Sequence, residues 1–441
     1  MKSVAIIGAG VGGMAAAYDL TKAGNQVTIF EKESTPGGLA AGFREEGWDW
    51  SLEKFYHHWF SSDHFILDLI EEMGFKDKVR FFRPKTVVFH EGDFYPLDSP
   101  IAALLFPGFS FIDKMRFGFV TVYLRYLSSW RPLEAHTAHE WMRKYYGEKV
   151  YKTLFEPLLI GKFSQFYKEV NMAWFWARFK ARTPSLGTYE GGFQAFLDDF
   201  AATLKSMGVV FQFNTGIDSI TPAPGGKVCL KVNSAEQVYD QVLATLPPKL
   251  LAKTAPALNQ GYLDKLDSLK SLGAVVLILA LKHQFSDKGY YWFNLPKTAG
   301  FPFLALVEHT NFVPAEHFGG DHLLYCGDYL ESTHEYFSLT KEELIKRFLP
   351  SLKGINPQFE AKWIKASWLF RTPFAQPVPL VNHSRNIPSI QTPVENLYFA
   401  GMSQVYPWDR GTNFAVELGR KAAREIIHHS ANPDSKIGTS F

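Results

Sequence analysis

Alternating apolar and polar runs near the start of the chain predict a strand, a helix and a second strand. Residues 4–7 are all apolar and lead into a glycine, which is typical of a buried strand. Residues 14–23 are rich in alanine and predict a helix, and residues 26–31 predict the second strand. Two strands joined through a helix within about 30 residues lie parallel, with a right-handed crossover. The pattern therefore predicts an α/β fold built on a parallel sheet.

Further apolar runs extend this pattern along the chain. We expect strands at residues 209–213, 228–232, 241–245, 274–281, 304–308 and 397–400, and helices at 194–207 and 413–429. The chain contains no internal repeat and no low-complexity segment. It also contains no run of about 18 apolar residues, so we expect no helix that spans a membrane.

A glycine-rich turn follows the first predicted strand. The turn reads Gly8-Ala9-Gly10-Val11-Gly12-Gly13 and fits the pattern G-x-G-x-x-G. One glycine of this pattern makes the tight turn, the next lets a pyrophosphate approach the backbone, and the third lets the helix pack on the strand. Glu31 ends the second strand, where a carboxylate can accept hydrogen bonds from both ribose hydroxyls. Position and spacing together predict a dinucleotide-binding site.

Composition narrows the class of protein. Of the 441 residues, 46% are hydrophobic, which excludes wholesale disorder. The formal net charge of +2 is too balanced for a general nucleic-acid coat, so we expect no nucleic-acid partner. Aromatic residues make up 16% of the chain and indicate a planar or apolar ligand. The two cysteines, Cys229 and Cys326, lie in apolar runs, so we expect buried structural thiols in a reducing, cytoplasmic compartment.

The residues after the second predicted strand indicate which dinucleotide is bound. Lys32 begins a stretch that contains a glycine pair, Gly37-Gly38, followed by Leu39 and Ala40. This stretch resembles the flavoenzyme superfamily of monoamine oxidase, protoporphyrinogen oxidase, phytoene desaturase and UDP-galactopyranose mutase. In that family the second glycine pair lines the pyrophosphate and the ribityl chain of FAD. Many members carry Arg where Leu39 stands, so the resemblance implies contacts of the backbone rather than of the side chain at this position.

The resemblance continues along the chain and is strongest with the protoporphyrinogen-oxidase-like branch. It is carried by residues 94–97, 104–105, 186–193, 214–220, 243–248, 396–401 and 411–427. The FAD-binding residues that it implies are Gly8, Ala9, Gly10, Val11, Gly12, Gly13, Glu31, Lys32, Gly37, Gly38, Leu39, Ala40, Ile217, Thr245, Gly401, Met402, Gly411, Thr412, Asn413 and Phe414. It also implies non-covalent FAD, because covalent attachment in this superfamily uses Cys or His and residues 397–427 contain neither.

The resembled fold implies two interleaved domains. One is a Rossmann-like FAD-binding domain with a parallel sheet, to which we assign residues 1–85, 186–255 and 385–430. The other is an α+β substrate domain, to which we assign residues 86–185 and 256–384. Residues 431–441 are expected to form a tail.

Residues 101–182 form a basic block with a composition of their own. The block contains 13 Lys or Arg, 6 Asp or Glu and 20 aromatic residues. Within it, residues 111–127 predict a helix with one narrow polar stripe. The stripe consists of Lys114, Gly118, Thr121 and Arg125. We expect this helix to be a buried wall of the substrate domain; the alternative is a helix in a membrane interface, with its basic residues at the headgroups.

Few catalytic side chains are required when a flavin carries the electrons. The candidates are Tyr56 and His57, whose segment runs past the flavin ring in the resembled family, together with Trp408 and Arg410. For the first two, ordinary aromatic packing is the alternative. For Arg410, the alternative is a surface ion pair with Asp409 that only stabilises a turn. No metal site is expected, because the close histidine pairs have no cysteine or carboxylate partners in the sequence.

The resemblance implies an FAD-dependent oxidoreductase, either an oxidase or a dehydrogenase. Its substrate would be bulky and largely apolar or lipid-like, and a hydride would pass to flavin N5. Two alternatives stay open: a non-redox flavin isomerase of the UDP-galactopyranose mutase type, and a flavin-binding protein without turnover. The electron acceptor (oxygen, a quinone or NAD(P)) and the oligomeric state stay open as well.

Overall fold

A five-stranded parallel sheet organises the first part of the structure, a computed structural model that describes residues 1–97 and 99–431. In spatial order its strands are Val210–Gln212, Gln26–Phe30, Ser3–Ile7, Gln241–Ala244 and Leu397–Phe399. The central strand pairs in register with both neighbours, so that Ile6 lies opposite Ile29 on one side and Leu243 on the other. The expected α/β fold with a parallel sheet is confirmed.

Both faces of the parallel sheet are covered, as its apolar strands require. One face packs against the first helix, Val11–Lys22, the last helix, Thr412–Ala431, and the helix Phe193–Ser206. The other face packs against the helices Pro248–Thr254 and Gln260–Ser268 and a three-stranded antiparallel sheet. The strands of that smaller sheet are Ser219–Ala223, Lys227–Val232 and Ala235–Tyr239.

A seven-stranded, mostly antiparallel sheet forms the second large layer. In spatial order its strands are Ile364–Pro377, Ser271–Leu281, His322–Leu330, Ala305–Glu308, Tyr290–Asn294, Lys85–His90 and Asp93–Pro96. The long central strands pair with Leu277 opposite Cys326. A short two-stranded sheet pairs Gly42–Phe43 with Leu52–Glu53. In a short three-stranded sheet, the central strand Leu186–Tyr189 pairs with Trp59–Phe60 on one side and with Val79–Phe82 on the other.

The remaining helices lie mainly in the basic block and beside the seven-stranded sheet. They are His64–Glu72, Pro100–Leu105, Phe111–Val122, Trp130–Leu133, Ala138–Tyr146, Glu148–Val150, Glu156–Phe163, Met172–Ala181 and Lys341–Ile355, with π-helical turns at Tyr123–Leu127 and Tyr151–Phe155. None of the helices in the described ranges has both the length and the apolar composition that crossing a bilayer requires.

The surface helix, Phe111–Val122 with its continuation Tyr123–Leu127, turns Thr121 and Arg125 of its polar stripe toward the protein. Thr121 Oγ1 lies 3.1 Å from the hydroxyl of Tyr146, and the Arg125 guanidinium donates to the carbonyl of Phe179 at 2.9 Å. Leu124 is buried, and Phe117 and Val120 pack on the core beside it. Other large apolar side chains of this helix point to solvent. Phe111, Ile112, Phe119 and Leu127 are each 70–77% exposed. The expectation of a buried wall is therefore wrong, because the helix packs on the protein along one side only and leaves a second apolar side exposed.

The other predicted strands and helices agree with the structure to within a few residues. The two edge strands of the seven-stranded sheet, Ile364–Pro377 and Asp93–Pro96, were not predicted. Cys229 and Cys326 are buried and free, as expected. The division into an FAD-binding and a substrate domain stays a prediction. Of the expected tail 431–441, residues 432–441 lie outside the described part of the chain.

Candidate functional site

The central strand Ser3–Ile7 leads directly into the glycine-rich turn. Gly8 has φ +110°, a backbone conformation that other residues rarely adopt. A Cβ on Gly13 would lie 2.2 Å from the carbonyl oxygen of Gly8, so the first helix packs directly on the turn. A Cβ on Gly10 would meet nothing within 4 Å. The turn therefore presents bare backbone to an open space at the carboxyl end of the strand, as a pyrophosphate requires.

The start of the first helix is free to bind an anion. Gly10 is its N-cap residue, and no side chain caps the helix. The amides of Val11, Gly12 and Gly13 fall in the first turn, where helix geometry provides no acceptor. No acidic residue lies in that turn, so the positive end of the helix dipole is not neutralised. This end of the helix fits the diphosphate of FAD.

The second glycine pair lies against the first motif. The amide of Gly37 donates to the carbonyl of Ala9 at 2.9 Å. Gly37 and Gly38 have φ +127° and +57°, and a Cβ on Gly38 would approach the Cα of Gly10 to 3.7 Å. The pair continues into a single turn, Gly38–Ala40, that carries Leu39 into the site. The glycine-rich turn and the second glycine pair, which are separate in the sequence, thus form one backbone cradle.

The Glu31 carboxylate joins the glycine-rich turn to the second strand. Oε2 accepts a hydrogen bond from the amide of Ala9 at 2.8 Å, and Oε1 accepts one from the amide of Glu33 at 3.0 Å. Each carboxylate oxygen can accept more than one hydrogen bond, so capacity for ribose hydroxyls is left. The neighbouring Lys32 side chain is 75% exposed, and its Nζ lies 3.4 Å from Glu33 Oε1.

Replacing Glu31 by Ala should weaken FAD retention at least tenfold. Charge-assisted hydrogen bonds to the ribose are worth about 1.5–3 kcal/mol each, and two backbone amides of the cradle lose their acceptor as well. The measurement is the FAD dissociation constant, followed by the fluorescence of released flavin. Glu33→Ala is the matched control, because that side chain is 59% exposed. Equal retention in Glu31→Ala and Glu33→Ala would contradict the assignment of the ribose site.

Two further predicted residues lie around the same cradle. Thr245 Oγ1 donates to the carbonyl of Ile7 at 2.8 Å, which places it beside the glycine-rich turn. The segment that carries Ile217 is attached to the second strand, because the amide of Thr215 donates to the carbonyl of Glu31 at 2.8 Å. Ile217 itself packs on the apolar core beneath the sheet.

The start of the last helix is also held open. A Cβ on Gly411 would meet nothing within 4 Å. The side chains that follow are used for anchoring: Thr412 Oγ1 accepts from Trp59 Nε1 at 2.9 Å, and Asn413 Oδ1 accepts from the amide of Ile66 at 3.1 Å. The first-turn amides are therefore fixed in place and have no intrahelical acceptor. They can stabilise negative charge in front of the helix.

The first and last helices touch backbone to backbone. A Cβ on Gly419 would lie 2.1 Å from the carbonyl oxygen of Gly12, and a Cβ on Gly12 would lie 3.1 Å from that of Ala415. This contact brings the starts of both helices to one cleft. Gly419 was not predicted from the sequence, because a single glycine inside a helix gives no local sign of a crossing.

Gly401 and Met402 follow the last strand of the parallel sheet. The amide of Gly401 donates to Gln404 Oε1 at 2.7 Å, and a Cβ on Gly401 would lie 2.7 Å from the ring of Phe399. Met402 lines a cavity beside the last helix. The end of this strand is therefore closely packed and allows only glycine at residue 401.

A cavity in front of the cradle gathers most of the candidate catalytic residues. It is lined by Leu39, Phe55, Tyr56, His57, Ala274, Val276, Asp328, Tyr329, Ala375 and Arg410. A neighbouring cavity shares Arg410 and is lined also by Trp174, Met402, Trp408 and Asp409. The ring of Trp408 stacks on Phe414 at 5.2 Å with an interplanar angle of 5°. The structure thus brings Tyr56, His57 and Arg410 together and places Trp408 next to them.

The aromatic groups of this cavity are uncharged at neutral pH. Burial lowers the pKa of His57 to about 4, although its Nδ1 hydrogen-bonds to the carbonyl of Phe55. Burial, together with the nearby Arg182 charge, lowers the pKa of the neighbouring His58 to about 3. Burial raises the pKa of Tyr56 well above its ordinary value. These side chains can therefore orient a substrate through hydrogen bonds and shape, and they add no charge.

Arg410 and Asp409 do not form a surface ion pair with each other, so that alternative is wrong. Asp409 Oδ2 lies 2.8 Å from Nη1 of Arg178, which is buried. The Arg410 guanidinium hydrogen-bonds to the hydroxyl of Tyr329 and lies over its ring, 5.0 Å from the centroid. The two neighbours in sequence therefore serve different partners inside the protein.

Several residues of the site were not predicted from the sequence. Tyr329 and Asp328 end a strand of the seven-stranded sheet, and Lys162 and Arg178 belong to helices of the basic block. The excess charge of that block was a sign of their presence but did not single them out. The described residues contain no group of three or more His, Cys, Asp or Glu that could hold a metal ion.

Comparison with known proteins agrees with this geometry. Residues 11–427 match the family of flavin containing amine oxidoreductases. The chain is 23% identical to coproporphyrinogen III oxidase of Staphylococcus aureus, over 97% of this chain and 99% of the relative. It is 22% identical to 15-cis-phytoene desaturase of Synechococcus elongatus, over 96% and 95%. Cyclohexylamine oxidase of Brevibacterium oxydans shares the fold, with a TM-score of 0.75, 15% identity and coverage of 98% and 100%.

Proposed function

Because the chain belongs to the family of flavin containing amine oxidoreductases and is an FAD-dependent oxidoreductase, we propose that it oxidises or dehydrogenates a bulky, largely apolar substrate. The observation that carries this proposal is the cavity in front of the cradle. Leu39, which follows the glycine pair, lines this cavity together with Ala274, Val276 and Ala375, so the wall of the cavity is mainly apolar. The names of the relatives, a porphyrinogen oxidase and a phytoene desaturase, point to bulky apolar substrates as well.

The protein's own residues would bind and orient both ligands. FAD, when bound, supplies the acceptor for a hydride at N5. The cradle of Gly10 and Gly38 and the start of the first helix would hold its diphosphate, and Glu31 its ribose. The first-turn amides of the last helix and the Arg410 guanidinium would stabilise negative charge at the inner end of the site. Tyr56 and His57, both uncharged, would shape the cavity around the substrate.

Anaerobic mixing of the FAD-loaded protein with candidate substrates tests this proposal. Isoprenoids, porphyrinogens, amines and nucleotide sugars form the panel. Bleaching of the flavin by an apolar compound is the expected result. Turnover that requires prior reduction of the flavin would instead favour the isomerase. Absence of both, with FAD bound, would favour a flavin-binding protein without turnover.

We also propose that FAD is held without a covalent link. The segment at the start of the last helix offers backbone amides and the ring of Phe414, and no cysteine or histidine occurs in residues 397–427. Acid precipitation should release all of the flavin into the supernatant. Flavin that remains in the precipitate would contradict this.

For the surface helix we propose contact with an anionic membrane surface. Its exposed aromatic and aliphatic side chains include Phe119 and Leu127, and Ile101 and Leu105 nearby are exposed as well. Arg116 of the same helix is exposed and donates to the carbonyls of the adjacent segment that carries Lys144. An apolar face bordered by cations fits the interface of a bilayer with anionic headgroups. A lipid-like substrate would then be supplied from that surface to a cytoplasmic enzyme.

The purified protein should sediment with vesicles that contain phosphatidylglycerol, and binding should weaken as salt is added. Replacing both Phe119 and Leu127 by Ser should lower the partition coefficient at least tenfold, since burying each such side chain is worth about 1.5–3 kcal/mol. Val238→Ser is the matched control, because Val238 is 52% exposed and lies on the small antiparallel sheet. No binding at low salt, or equal loss in the control, would exclude a membrane role for the surface helix.

A further inference from the structure

Four cationic side chains converge on one carboxylate beside the cavity. This cation cluster consists of Lys162, Arg178, Arg182 and Arg410, and the carboxylate belongs to Asp409. The cations come from the helix Glu156–Phe163, from Met172–Ala181 and its C-cap, and from the loop before the last helix. The site is therefore assembled from distant parts of the chain.

Asp409 is fully engaged by one member of the cluster. Its Oδ2 lies 2.8 Å from Arg178 Nη1, and its Oδ1 accepts from Trp174 Nε1 at 3.2 Å and from the backbone amide of Arg410 at 3.1 Å. Burial opposes ionisation of this carboxyl, but the surrounding cations outweigh it and hold the pKa of Asp409 well below its ordinary value. One carboxylate thus serves Arg178 and leaves the other cations without a counterion.

The other three cations face aromatic rings rather than acids. Lys162 Nζ lies 4.7 Å from the ring centroid of Tyr329, on which the Arg410 guanidinium also rests. Arg182 lies 5.7 Å from the ring of Phe60. Within residues 1–97 and 99–431, neither Lys162 nor Arg182 forms an ion pair or a side-chain hydrogen bond, and the buried Nε of Arg410 has no acceptor. The Arg182 side chain is exposed and that of Lys162 is partly buried, so both can reach a ligand that enters from solvent. The Nε of Arg410 is withdrawn from water, and an unpaired buried donor is costly to the folded protein unless a ligand uses it.

The neighbouring acid does not neutralise the cluster. Asp328, which lines the same cavity, is paired with Lys297 at 2.9 Å. His57 and His58 add no negative charge, and the Nδ1 of His58 is buried without a partner in the described chain. Burial lowers the pKa of Lys162 well below its ordinary value, and an anion bound beside the ammonium would oppose this effect.

We propose that the cation cluster binds the anionic group, a phosphate or a carboxylate, of a substrate whose apolar body fills the adjacent cavity. This inference rests on the proposed function and specifies its substrate class: an amphiphile with an acidic head. Tyr329 joins the two parts, because its ring borders the cavity and carries both Lys162 and Arg410. The head would lie at Lys162, Arg182 and the free Nε of Arg410, and the body along Leu39, Val276 and Ala375.

Calorimetric titration of the oxidised, FAD-loaded protein tests this assignment without turnover. Octyl phosphate and octanoate are the two anionic probes, and octylammonium and inorganic phosphate are the comparisons. At least one anionic amphiphile should bind at least tenfold more tightly than inorganic phosphate, and octylammonium should not bind. Preference for octyl phosphate over octanoate would identify a phosphate head, and the reverse preference a carboxylate head. Binding of octylammonium as tight as that of both anions would overturn the proposal.

Charge-removing variants locate the binding. Lys162→Gln and Arg182→Gln should each raise the dissociation constant of the preferred anion at least tenfold. Lys152→Gln is the control from the same basic block, since its side chain is 63% exposed, and it should change the constant less than twofold. Equal behaviour of Lys162→Gln, Arg182→Gln and the control would overturn the proposal. If the protein retains FAD and its flavin is bleached by apolar compounds but it binds no anion, only the anion-binding role of the cation cluster is refuted. If anions bind but no compound bleaches the flavin, only the proposed oxidation is refuted.

Discussion

Replacing Gly419 by Ala should lower the free energy of unfolding by about 2–3 kcal/mol and weaken FAD retention at least tenfold. The new Cβ would lie 2.1 Å from the carbonyl oxygen of Gly12, far inside van der Waals contact. Overpacking of this kind costs about 1–3 kcal/mol because backbone has to move. Here the backbone that moves is the start of the first helix, which presents the diphosphate-binding amides. Urea unfolding and the FAD dissociation constant measure the two effects.

The same substitution at Gly118 is the control for Gly419. Gly118 lies inside the surface helix, and a Cβ there would meet nothing within 4 Å. Alanine stabilises an exposed helix interior by about 0.5–1 kcal/mol relative to glycine. Gly118→Ala should therefore raise stability slightly and leave FAD bound. If the two substitutions change stability in the same direction, the close crossing of the first and last helices is not the reason for Gly419.

Replacing Asp409 by Asn should lower the free energy of unfolding by about 3–5 kcal/mol. Removing one partner of a buried ion pair leaves the other charge uncompensated, and this is the cost typical of such a loss. In this protein Arg178 is the partner, and three more cations surround it. Asn keeps an oxygen for Trp174 Nε1, so the change removes charge more than shape. Urea unfolding of the wild type and the variant at one pH measures the difference.

The pH dependence of that difference follows from the depressed pKa of Asp409. A carboxyl whose folded pKa lies below its unfolded value of about 3.9 contributes stability above that value, and the contribution is lost as the pH falls through the folded pKa. The gap between wild type and Asp409→Asn should therefore be constant from about pH 5 to 8 and narrow only below about pH 4. Glu148→Gln, which removes the exposed partner of Arg143, should leave the unfolding midpoint unchanged. A gap that closes already near pH 6 would contradict an ionised Asp409.

Local patterns in the sequence predicted the nucleotide-binding half of the site. The first strand, the glycine-rich turn and Glu31 lie within about 30 residues, and each is specified by short-range rules of sterics and helix electrostatics. The glycine pair at 37–38 was identified by resemblance, and in the structure it lies against the first motif. These features could be predicted because their geometry depends mainly on residues close to one another in the chain.

The seven-stranded sheet was only partly predicted for the opposite reason. The central strand Ser271–Leu281 is apolar throughout and was recognised, whereas Ile364–Pro377 contains two prolines and mixes polar with apolar positions. Proline is tolerated there because the strand lies at the edge of the sheet. An edge position is a property of the sheet as a whole, and the strand's own residues do not reveal it.

By itself, the sequence determined a parallel α/β sheet, a dinucleotide cradle and a helix with one polar stripe at residues 111–127. Only the tertiary structure decided that Thr121 and Arg125 of this stripe face the protein, since periodicity defines two sides of a helix without saying which one meets the protein. It also decided that Lys162 and Arg410 both lie over the ring of Tyr329, that Arg178 pairs with Asp409, and that Gly12 meets Gly419. These contacts join residues up to several hundred positions apart, and they exist because packing of whole helices and sheets, rather than local propensity, brings those side chains together.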